Sequence, residues 1–444
     1  MKRTTLAAFL FLAALHRTSA AQAPEAPARI LTLEGAVELA LRNNLDVALA
    51  GLRKDTTRSD LRRAWAAAIP DITLTGSLTR NLEQPKAFFG GGAIAMGQPW
   101  SMRHAATVEQ VVYAGGAVAS GVRAARAGVE VGEAELAAAR ADVVLAVRSL
   151  FYGVLLASDT ARIQADNLAS AEDHLRTIRE RYRQGLDSDL VLLRQQVEAA
   201  NAKPALLQAR NAHELAQLQL KDTLRLDVDE PVEFVGALEP PKGGLPSYEG
   251  LVRTALENSA DYKAARSRAL QADAVLGALK GKNLPWLSAV ADYQWYSESR
   301  DLGPGTTERD TSSMAGLRLR WPLFTGGEIR EQVRQARITK DASETVAEKV
   351  LRAVRLSVKR AWLSAAEASE RSRSGEEAVG QARRALEATE VRYRAGQSSQ
   401  LELTDATLAL QRARLLYAQA LHDYRAELAS LERAAGVAVG APTE

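Results

Sequence analysis

Histidine and cysteine carry much of the metal and nucleophilic chemistry of proteins, but this chain of 444 residues places neither for such a role. Cysteine is absent, which excludes disulfides, thiolate nucleophiles, cysteine-based zinc sites and a lipid anchor on an N-terminal cysteine. The five histidines, at positions 16, 104, 174, 213 and 422, form no cluster and no pair at helical ligand spacing. The sequence also lacks a nucleophile elbow and a phosphate-cradling glycine loop, so we expect no enzyme, no metal site and no cofactor.

Two acidic residues, Glu402 and Asp405, lie three positions apart shortly after the motif RYRAG (392–396). In a helix this spacing places both carboxylates on one face. A structural role is also open for Glu402, because Ser399-x-x-Glu402 has the form of a capping box. Acidic side chains in a first helical turn are also stabilised by the helix dipole.

The first twenty residues have the composition of a secretory signal. Lys2 and Arg3 precede the apolar run LAAFLFLAAL (6–15), which is too short to span a bilayer. We expect removal of residues 1–20, or of 1–23, because TSA and AQA both present small residues for cleavage. The alternative is a short buried helix.

The charge balance of the remaining chain argues against a nucleic-acid partner. Removing Lys2, Arg3 and Arg17 from 57 basic residues leaves 54, against 54 acidic residues. A formally neutral chain offers little attraction for phosphates. No later stretch approaches eighteen apolar residues, so we also expect no membrane-spanning helix.

The chain contains an internal duplication. RYRQG (181–185) and RYRAG (392–396) lie 211 positions apart, as do the glycine pairs of VVYAGGAV (111–118) and PLFTGGEI (322–329). LEGAVELALRNNLD (33–46) and YEGLVRTALENSAD (248–261) lie 215 apart. The sequence therefore predicts two copies of one unit, the first longer by four residues at the loop FFGGGAIAMGQP (88–99).

Each copy shows the same order of patterns. We predict a first repeat over 24–226, a linker over 227–247, a second repeat over 248–436 and a tail over 437–444. Each repeat begins with a short helix (about 34–50 and 249–258) and a longer helix, followed by two strands. The predicted strands are about 71–81 and 100–112, then about 286–297 and 312–322. A long helix (about 116–183 and 328–394) and a returning helix (about 399–436 in the second copy) complete each repeat.

The strand segments alternate with period two. Ile72, Leu74 and Leu78 share a face, as do Leu287, Ala289, Ala291, Tyr293 and Trp295, while Leu317 and Leu319 oppose Arg318 and Arg320. Four of the six tryptophans, at 100, 286, 295 and 321, fall in these segments, as an interfacial girdle would require. An ordinary half-buried soluble sheet gives the same alternation.

The long helices favour an extended architecture. No proline interrupts Gly116–Arg183, which at about 1.5 Å per residue spans about 100 Å. Val122, Val129, Leu136, Val143 and Leu150 recur every seven residues, which predicts close helix–helix packing. The RYRxG motifs are interpreted as the sharp turns where each long helix reverses, with glycine at the left-handed end position.

The order of these elements resembles the TolC-like outer-membrane efflux channel family. The resemblance rests on LEGAVELALRNN, AAIPDITLTG, VVYAGG with PLFTGG, RYRQGL and RYRAGQSSQLELTDAT, and covers nearly the whole chain. It implies an α+β membrane protein: a homotrimer whose protomers each give four strands to a twelve-stranded barrel, continued by an α-helical barrel across the periplasm. The threonine and serine face, with Arg318 and Arg320, would then line the lumen.

The resemblance also implies a gate. The family carries two acidic residues six and nine positions after the second turn glycine, which here are Glu402 and Asp405. A trimer would bring six carboxylates to the entrance and favour cations. The first copy departs from this pattern, with Val191 and Arg194 at the equivalent positions. Our hypothesis is that Arg194 pairs with Asp405 or Glu402 of a neighbouring hairpin.

Tyr182 and Tyr393 match a family position that helps to lock the closed entrance, although either could simply pack between helices. Gly185–Leu186 and Gly396–Gln397 match the tips that meet a periplasmic adaptor, and an apolar leucine at an exposed turn fits a partner contact. GGGAIAMG (90–97) is interpreted as an extracellular turn.

The resulting prediction is the passive outer-membrane component of a tripartite efflux or secretion system, working with a periplasmic adaptor and an inner-membrane transporter. The alternative is a periplasmic coiled-coil adaptor or structural stalk without a membrane barrel. The sequence does not select among a drug, a metal ion, a metabolite and a polypeptide as cargo, because the pump makes most of that choice.

Overall fold

The computed structural model describes residues 29–84, 86–241, 243–301 and 308–437, and the predicted signal sequence lies outside these residues. Within them the first repeat and the linker contain β1 (Arg29–Leu31), α1 (Leu33–Asn43), α2 (Leu45–Ala66), β2 (Asp71–Arg80), β3 (Lys86–Phe89), β4 (Gly92–Ala95), β5 (Trp100–Ala114), α3 (Ala117–Arg183), α4 (Asp189–Leu224) and β6 (Val232–Phe234). The second repeat contains α5 (Tyr248–Asn258), α6 (Ala260–Gly281), β7 (Trp286–Ser299), β8 (Glu308–Arg320), α7 (Glu328–Arg394) and α8 (Gln400–Ala435).

The helices of the two repeats match residue by residue. α3 and α7 each have 67 residues, and α4 and α8 each have 36, at an offset of 211. α1 and α5 each have 11 residues, and α2 and α6 each have 22, at an offset of 215. The predicted duplication is thus confirmed, and any residue of one repeat has a definite equivalent in the other.

Four strands form one antiparallel sheet in the order β2–β5–β7–β8. Asp71 lies opposite Glu109 in the first hairpin, and Trp286 lies opposite Arg320 in the second. These pairs are equivalent under the same two offsets, so both hairpins have one register. β2 and β8 are the outer strands of this sheet, and each has one neighbouring strand among the described residues.

The register places most of the large apolar side chains of the four strands on one face of the sheet, whereas Trp286, Val290 and Met314 lie on the other. Ile72, Val108, Ala291 and Ala315 lie in one row across it, and Thr73, Thr107, Asp292 and Met314 lie in the next row on the opposite face. The large apolar side chains of the first face are exposed, including Ile72, Leu74 and Leu317. An exposed apolar face on a sheet with open outer strands is incomplete for a soluble protein.

Two equivalent cores hold the short helices against the long ones. In the first repeat α1, α3 and α4 enclose Val147, Phe151, Leu220 and Leu224, and the ring of Phe151 meets Phe234 of β6 edge-on at 6.1 Å between centroids. In the second repeat α5, α7 and α8 enclose a second cluster that includes Leu251, Val358 and Leu431. These cores fix where each long helix is held along its length.

Some boundaries differ from the sequence predictions. The first short helix, predicted over about 34–50, ends at Asn43, because the side chain of Asn44 accepts a hydrogen bond from the backbone nitrogen of Asp46 at 2.8 Å and begins α2. The loop 88–99 contains most of the hairpin β3–β4, in which Phe89 lies opposite Gly92. Trp286 lies opposite Arg320 on the polar face, so it does not join an apolar girdle with Trp295.

One helix within the described ranges, α3, contains an 18-residue window that is long and apolar enough to cross a membrane by composition alone. The expectation of no such stretch was therefore too strict. Its apolar side chains include Val143, Val147, Phe151 and Val154, which are buried in the first core. Core helices and membrane-spanning helices can share this composition, and the named side chains of α3 pack in a protein core.

Candidate functional site at the helical tips

Both long helices end in the same hydrogen-bonded turn. Gly185 has a φ of 74°, and its nitrogen donates to the carbonyl of Tyr182 while the nitrogen of Leu186 donates to the carbonyl of Arg181, both at 2.9 Å. Gly396 has a φ of 72°, and the second turn repeats both bonds at 3.0 and 2.8 Å. This is the Schellman motif, which needs a residue tolerant of positive φ at the glycine position. The repeated motif therefore encodes a repeated hairpin.

The two tips differ in the contacts that their arginines make. The guanidinium of Arg181 forms an ion pair with Asp187 at 2.8 Å, just beyond the turn, and this hydrogen bond raises the pKa of Arg181. The same guanidinium lies over the ring of Tyr393 in the second hairpin, with its carbon 5.9 Å from the ring centroid. Arg181 thus links its own turn to the neighbouring hairpin.

The two predicted tip tyrosines have different surroundings. Burial raises the pKa of Tyr393, which lines a cleft of about 450 Å³ between α3, α7 and α8. His174 and Ile178 of α3 and Leu403 of α8 lie in the same cleft. Tyr182 is exposed. Of these two tyrosines, Tyr393 is therefore the one with a contact to the other hairpin among the described residues.

A buried glutamine, absent from the sequence predictions, also joins the hairpins. Gln195 on α4 is 4% exposed, and its amide donates to the carbonyl of Ala171 at 3.1 Å. Its amide oxygen accepts a hydrogen bond from Gln400 on α8 at 3.5 Å. A glutamine in a helix sequence carries no signal of burial, because its partners lie 24 and 205 positions away.

The two acidic residues after the second turn, Glu402 and Asp405, differ in the hydrogen bonds that they form. The hydroxyl of Ser399 accepts a hydrogen bond from the backbone nitrogen of Glu402 at 3.3 Å, and the hydroxyl of Ser398 donates to the Glu402 carboxylate. The capping role open for Glu402 is thus present. Asp405 is exposed, and it forms no hydrogen bond or ion pair with the residues that the structure describes. Its carboxylate therefore has no side-chain partner within the described part of one protomer.

Arg194 is likewise exposed on α4, without an ion pair in the described part of the chain. Within one protomer it contacts neither Glu402 nor Asp405. The predicted pairing therefore requires a second copy.

An apolar surface lies at the first tip. Leu186 in the turn is 63% exposed, and the exposed Leu190 and Leu193 at the start of α4 extend this surface. Gln397 occupies the position of Leu186 in the second turn.

The polar face of the sheet carries the charges predicted for a lumen. The guanidinium of Arg318 lies 3.4 Å from the carboxylate of Glu109 across the sheet. Thr107 donates to Asp292 at 2.8 Å on the same face. Arg320 lies opposite Trp286 at the helix-proximal end of this face. The sheet thus has one largely polar face with charged residues and one largely apolar face.

Comparison with known proteins gives consistent matches. A family model described as outer membrane efflux protein matches residues 36–224 and 251–437, which are the two repeats. Outer membrane protein TolC of Vibrio cholerae serotype O1 is 26% identical over 320 residues, covering 68% of this chain and 70% of that protein. The cobalt-zinc-cadmium resistance protein CzcC of Cupriavidus metallidurans is 24% identical over 403 residues, covering 89% and 87% of the two chains.

Solved structures match over the whole architecture. The outer membrane protein VceC from Vibrio cholerae has a TM-score of 0.75 at 20% identity, covering 91% of this chain and 96% of that one. The CmeC outer membrane channel of Campylobacter jejuni has a TM-score of 0.77 at 17% identity, covering 93% and 87%. These likenesses show a shared fold.

Proposed function

Because this chain belongs to the outer membrane efflux protein family, we propose that it works as a homotrimer whose sheets close into one twelve-stranded barrel. The chain is an outer-membrane channel of a tripartite efflux or secretion system and extends into the periplasm. It is not an enzyme. Members of the family form trimeric channels in such systems.

The open edges of the sheet are the single observation that carries this proposal. Four strands cannot close a barrel, and unpaired strand edges are not tolerated in lipid. β2 and β8 each have a free edge among the described residues, on a sheet with one exposed apolar face. Pairing β8 of one copy with β2 of the next removes every free edge when three copies close.

The duplication gives the register of that seam. β5 and β7 meet within one chain, with Ala105 opposite Gln294. β8 is the equivalent of β5 at an offset of 211, and β2 is the equivalent of β7 at an offset of 215. The equivalents of Ala105 and Gln294 are therefore Gly316 on β8 and Thr79 on β2, which we place opposite each other across the boundary between two copies.

In this trimer the ionic face lines the lumen and the apolar face contacts the outer-membrane lipid. Arg318 and Arg320 line the lumen, with Arg318 partly neutralised by Glu109. The strongest argument for this orientation is solvation, since an Arg–Glu pair facing hydrocarbon would cost several kcal/mol by the order of magnitude of charged groups in lipid. A periplasmic stalk without a membrane barrel would leave this apolar face exposed to water, which is unfavourable.

The tips form the periplasmic entrance. Three Asp405 carboxylates form the principal constriction charge, and Glu402 adds to it while capping its helix. Tyr393 holds the two hairpins of one protomer together through Arg181, whereas Arg194 reaches an acid of the neighbouring hairpin. Opening then requires the hairpins to separate, which weakens both contacts.

The same tips meet the periplasmic adaptor. Gly185 and Leu186 present an apolar turn, and Gly396 and Gln397 present a polar one of the same backbone shape. The inner-membrane transporter supplies the energy, and the channel itself conducts passively without a cofactor.

The experiment that tests the closed barrel uses engineered cysteines in this cysteine-free chain. Gly316→Cys and Thr79→Cys together should give covalent trimers on treatment of membranes with a short thiol-to-thiol crosslinker, because residues directly opposite in a ladder have Cβ atoms about 4.5–5.5 Å apart, within reach of such a reagent. Each single variant is the control. Trimer bands absent from the double variant, with protein present in the outer membrane, would refute the proposed closure.

A further inference from the structure

The equivalence of the repeats allows the helical contacts between copies to be derived from contacts inside one chain. Within the chain, α3 of the first repeat packs on α6 and α8 of the second. We propose that α7 of one copy packs on α2 and α4 of the next in the same way, through a helical seam whose charges reverse in sign along its length. This inference rests on the proposed trimer, and its partner is a second copy of this chain.

Exposure supports the position of the seam. α2 exposes Leu45, Leu49 and Leu52, which are equivalent to Ala260, Ala264 and Ser267 on α6. Ala264 and Ser267 are buried, because α6 lies against α3. The exposed Ile338 on α7 is equivalent to the buried Ala127 on α3. Apolar residues are thus exposed where their equivalents are covered, as expected if the next copy covers them.

At the end of the seam nearest the sheet, α7 presents an acidic residue, Glu331, opposite a basic residue of α2, Arg62. A Cβ atom at Gly277 on α6 would lie 3.5 Å from the Cβ of Ser120 on α3. The equivalents of these residues are Arg62 on α2 and Glu331 on α7, both exposed. Among the residues that the structure describes, Glu331 forms one ion pair, with Arg334 at 3.9 Å. The seam therefore places opposite charges at a position of closest approach.

Towards the tips the signs reverse. Within the chain, Arg433 on α8 lies between two acids, 2.5 Å from Asp142 on α3 and 3.1 Å from Asp261 on α6. Across the seam, Asp222 on α4 takes the place of Arg433. Ala353 on α7 takes the place of Asp142, and Asp46 on α2 takes the place of Asp261. Two acids then lie side by side without the central cation, and a nearby cation would relieve the repulsion between these like charges.

α7 supplies that cation beside Ala353. Ala141 and Val144 of α3 line the cleft that contains Arg433, and their equivalents on α7 are Arg352 and Arg355. Both arginines are exposed. Within the described ranges Arg352 forms one ion pair, an intrahelical pair with Glu348 in which both side chains are largely exposed, and such a pair contributes little stability. Docking against Asp46 and Asp222 gives these guanidinium groups their partners.

One equivalent pair would bring like charges together, and each of its members has partners within its own chain. Arg148 pairs with Glu432 within the chain, and their equivalents are Lys359 and Lys221. Lys359 lies over the ring of Tyr248 at 4.1 Å. Lys221 donates to the carbonyls of Val228 and Glu230 at 3.0 and 2.7 Å. Each lysine is therefore held by its own chain, which leaves the seam free of this repulsion.

Cysteine pairs test the register of the seam. Glu331→Cys with Arg62→Cys should form disulfide-linked trimers, because Cβ atoms about 3.5–4.5 Å apart suit a disulfide. Ser120→Cys with Gly277→Cys should link within one chain and leave a monomer band. Glu331→Cys with Arg58→Cys, one helical turn away, should link at least tenfold more slowly.

The barrel pair separates failure of the seam from failure of the trimer. If Gly316→Cys with Thr79→Cys links trimers but Glu331→Cys with Arg62→Cys does not, the helical seam is refuted and the trimer stands. If neither pair links, both proposals fail.

Charge exchange gives an independent test of the seam. Arg352→Glu with Arg355→Glu should lower the temperature at which SDS-resistant trimers dissociate. Adding Asp46→Arg with Asp222→Arg should restore it, and a further decrease instead would overturn the assigned partners.

Discussion

Arg181 of the first hairpin lies over the ring of Tyr393 of the second, with 5.9 Å between the guanidinium carbon and the ring centroid. The same arginine is ion-paired with Asp187 at 2.8 Å, so its position is fixed by its own turn. Of the two tyrosines in equivalent motifs, only this one joins the hairpins. The relationship breaks the twofold likeness of the repeats at the point where the entrance must open.

Replacing Tyr393 by alanine should therefore loosen the entrance, and replacing Tyr182 should not. A cation–π contact at such a site contributes about 0.5–1 kcal/mol, which corresponds to a two- to fivefold increase in the open population. Single-channel recording measures this population directly. If Tyr393→Ala and Tyr182→Ala changed the open population equally, the contact of Tyr393 with Arg181 would have no specific role in keeping the entrance closed.

Arg194→Ala should increase conductance if this side chain holds a neighbouring hairpin closed. Its cation has no ion pair among the described residues of one protomer, so removal should leave the protomer fold unchanged. Arg194→Lys, which keeps the charge, is the matched control and should stay close to wild type. Unchanged conductance of Arg194→Ala at every voltage would remove Arg194 from the gate.

Gly281→Ala should destabilise the junction between the sheet and the helices. A Cβ atom there would lie 2.7 Å from the carbonyl oxygen of Gly115 and 3.0 Å from the nitrogen of Ala117, and overpacking of this kind costs about 1–3 kcal/mol. Gly121→Ala is the control, because its Cβ would meet nothing within 4 Å, and alanine favours a helix by about 0.5–1 kcal/mol. Thermal midpoints from circular dichroism should therefore move in opposite directions. A midpoint for Gly281→Ala at or above wild type would contradict the close approach.

Glu427→Gln should raise the thermal midpoint near pH 8. Burial, followed by the charge of Asp423, raises the pKa of Glu427 above its ordinary value of 4.5, although Arg371 opposes the shift and Glu367 adds to it. An acid with a raised folded pKa favours the fold at low pH, and this contribution is lost as the pH rises through that pKa. The benefit of glutamine should therefore shrink on acidification towards pH 4. The exposed Glu257→Gln serves as control, and a benefit that grows at low pH would reverse the assigned sign.

The duplication made much of this architecture predictable from sequence. Two fixed offsets, 211 and 215, placed RYRQG and RYRAG at equivalent turns and identified the long helices. Local signals were equally informative, since Ser399-x-x-Glu402 forms the hydrogen bond expected of a cap. Patterns that repeat, or that act within one helical turn, are visible in a single chain.

Contacts between distant elements were not predictable in this way. Asn44 ends a continuous helical pattern through a side-chain bond that period alone does not reveal. The contact of Arg181 with Tyr393 and the burial of Gln195 depend on how the hairpins pack, more than 200 positions apart in the chain. GGGAIAMG (90–97) is interpreted as a turn, but only Gly90 and Gly91 form the tight turn and Gly92–Ala95 forms β4, a boundary that glycine content does not reveal because glycine is common in both loops and tight hairpin turns.

The central claim, a gated channel with an acidic entrance, is tested most directly by single-channel recording of the purified trimer in a planar lipid bilayer. Wild type and Tyr393→Ala are compared with the same proteins carrying Asp405→Asn. The account predicts discrete openings, more frequent in Tyr393→Ala, with a cation preference that falls in both backgrounds when Asp405 is neutralised. Folded and inserted trimers that stay silent even with Tyr393→Ala would contradict the channel, and unchanged ion selectivity with Asp405→Asn would contradict its gate.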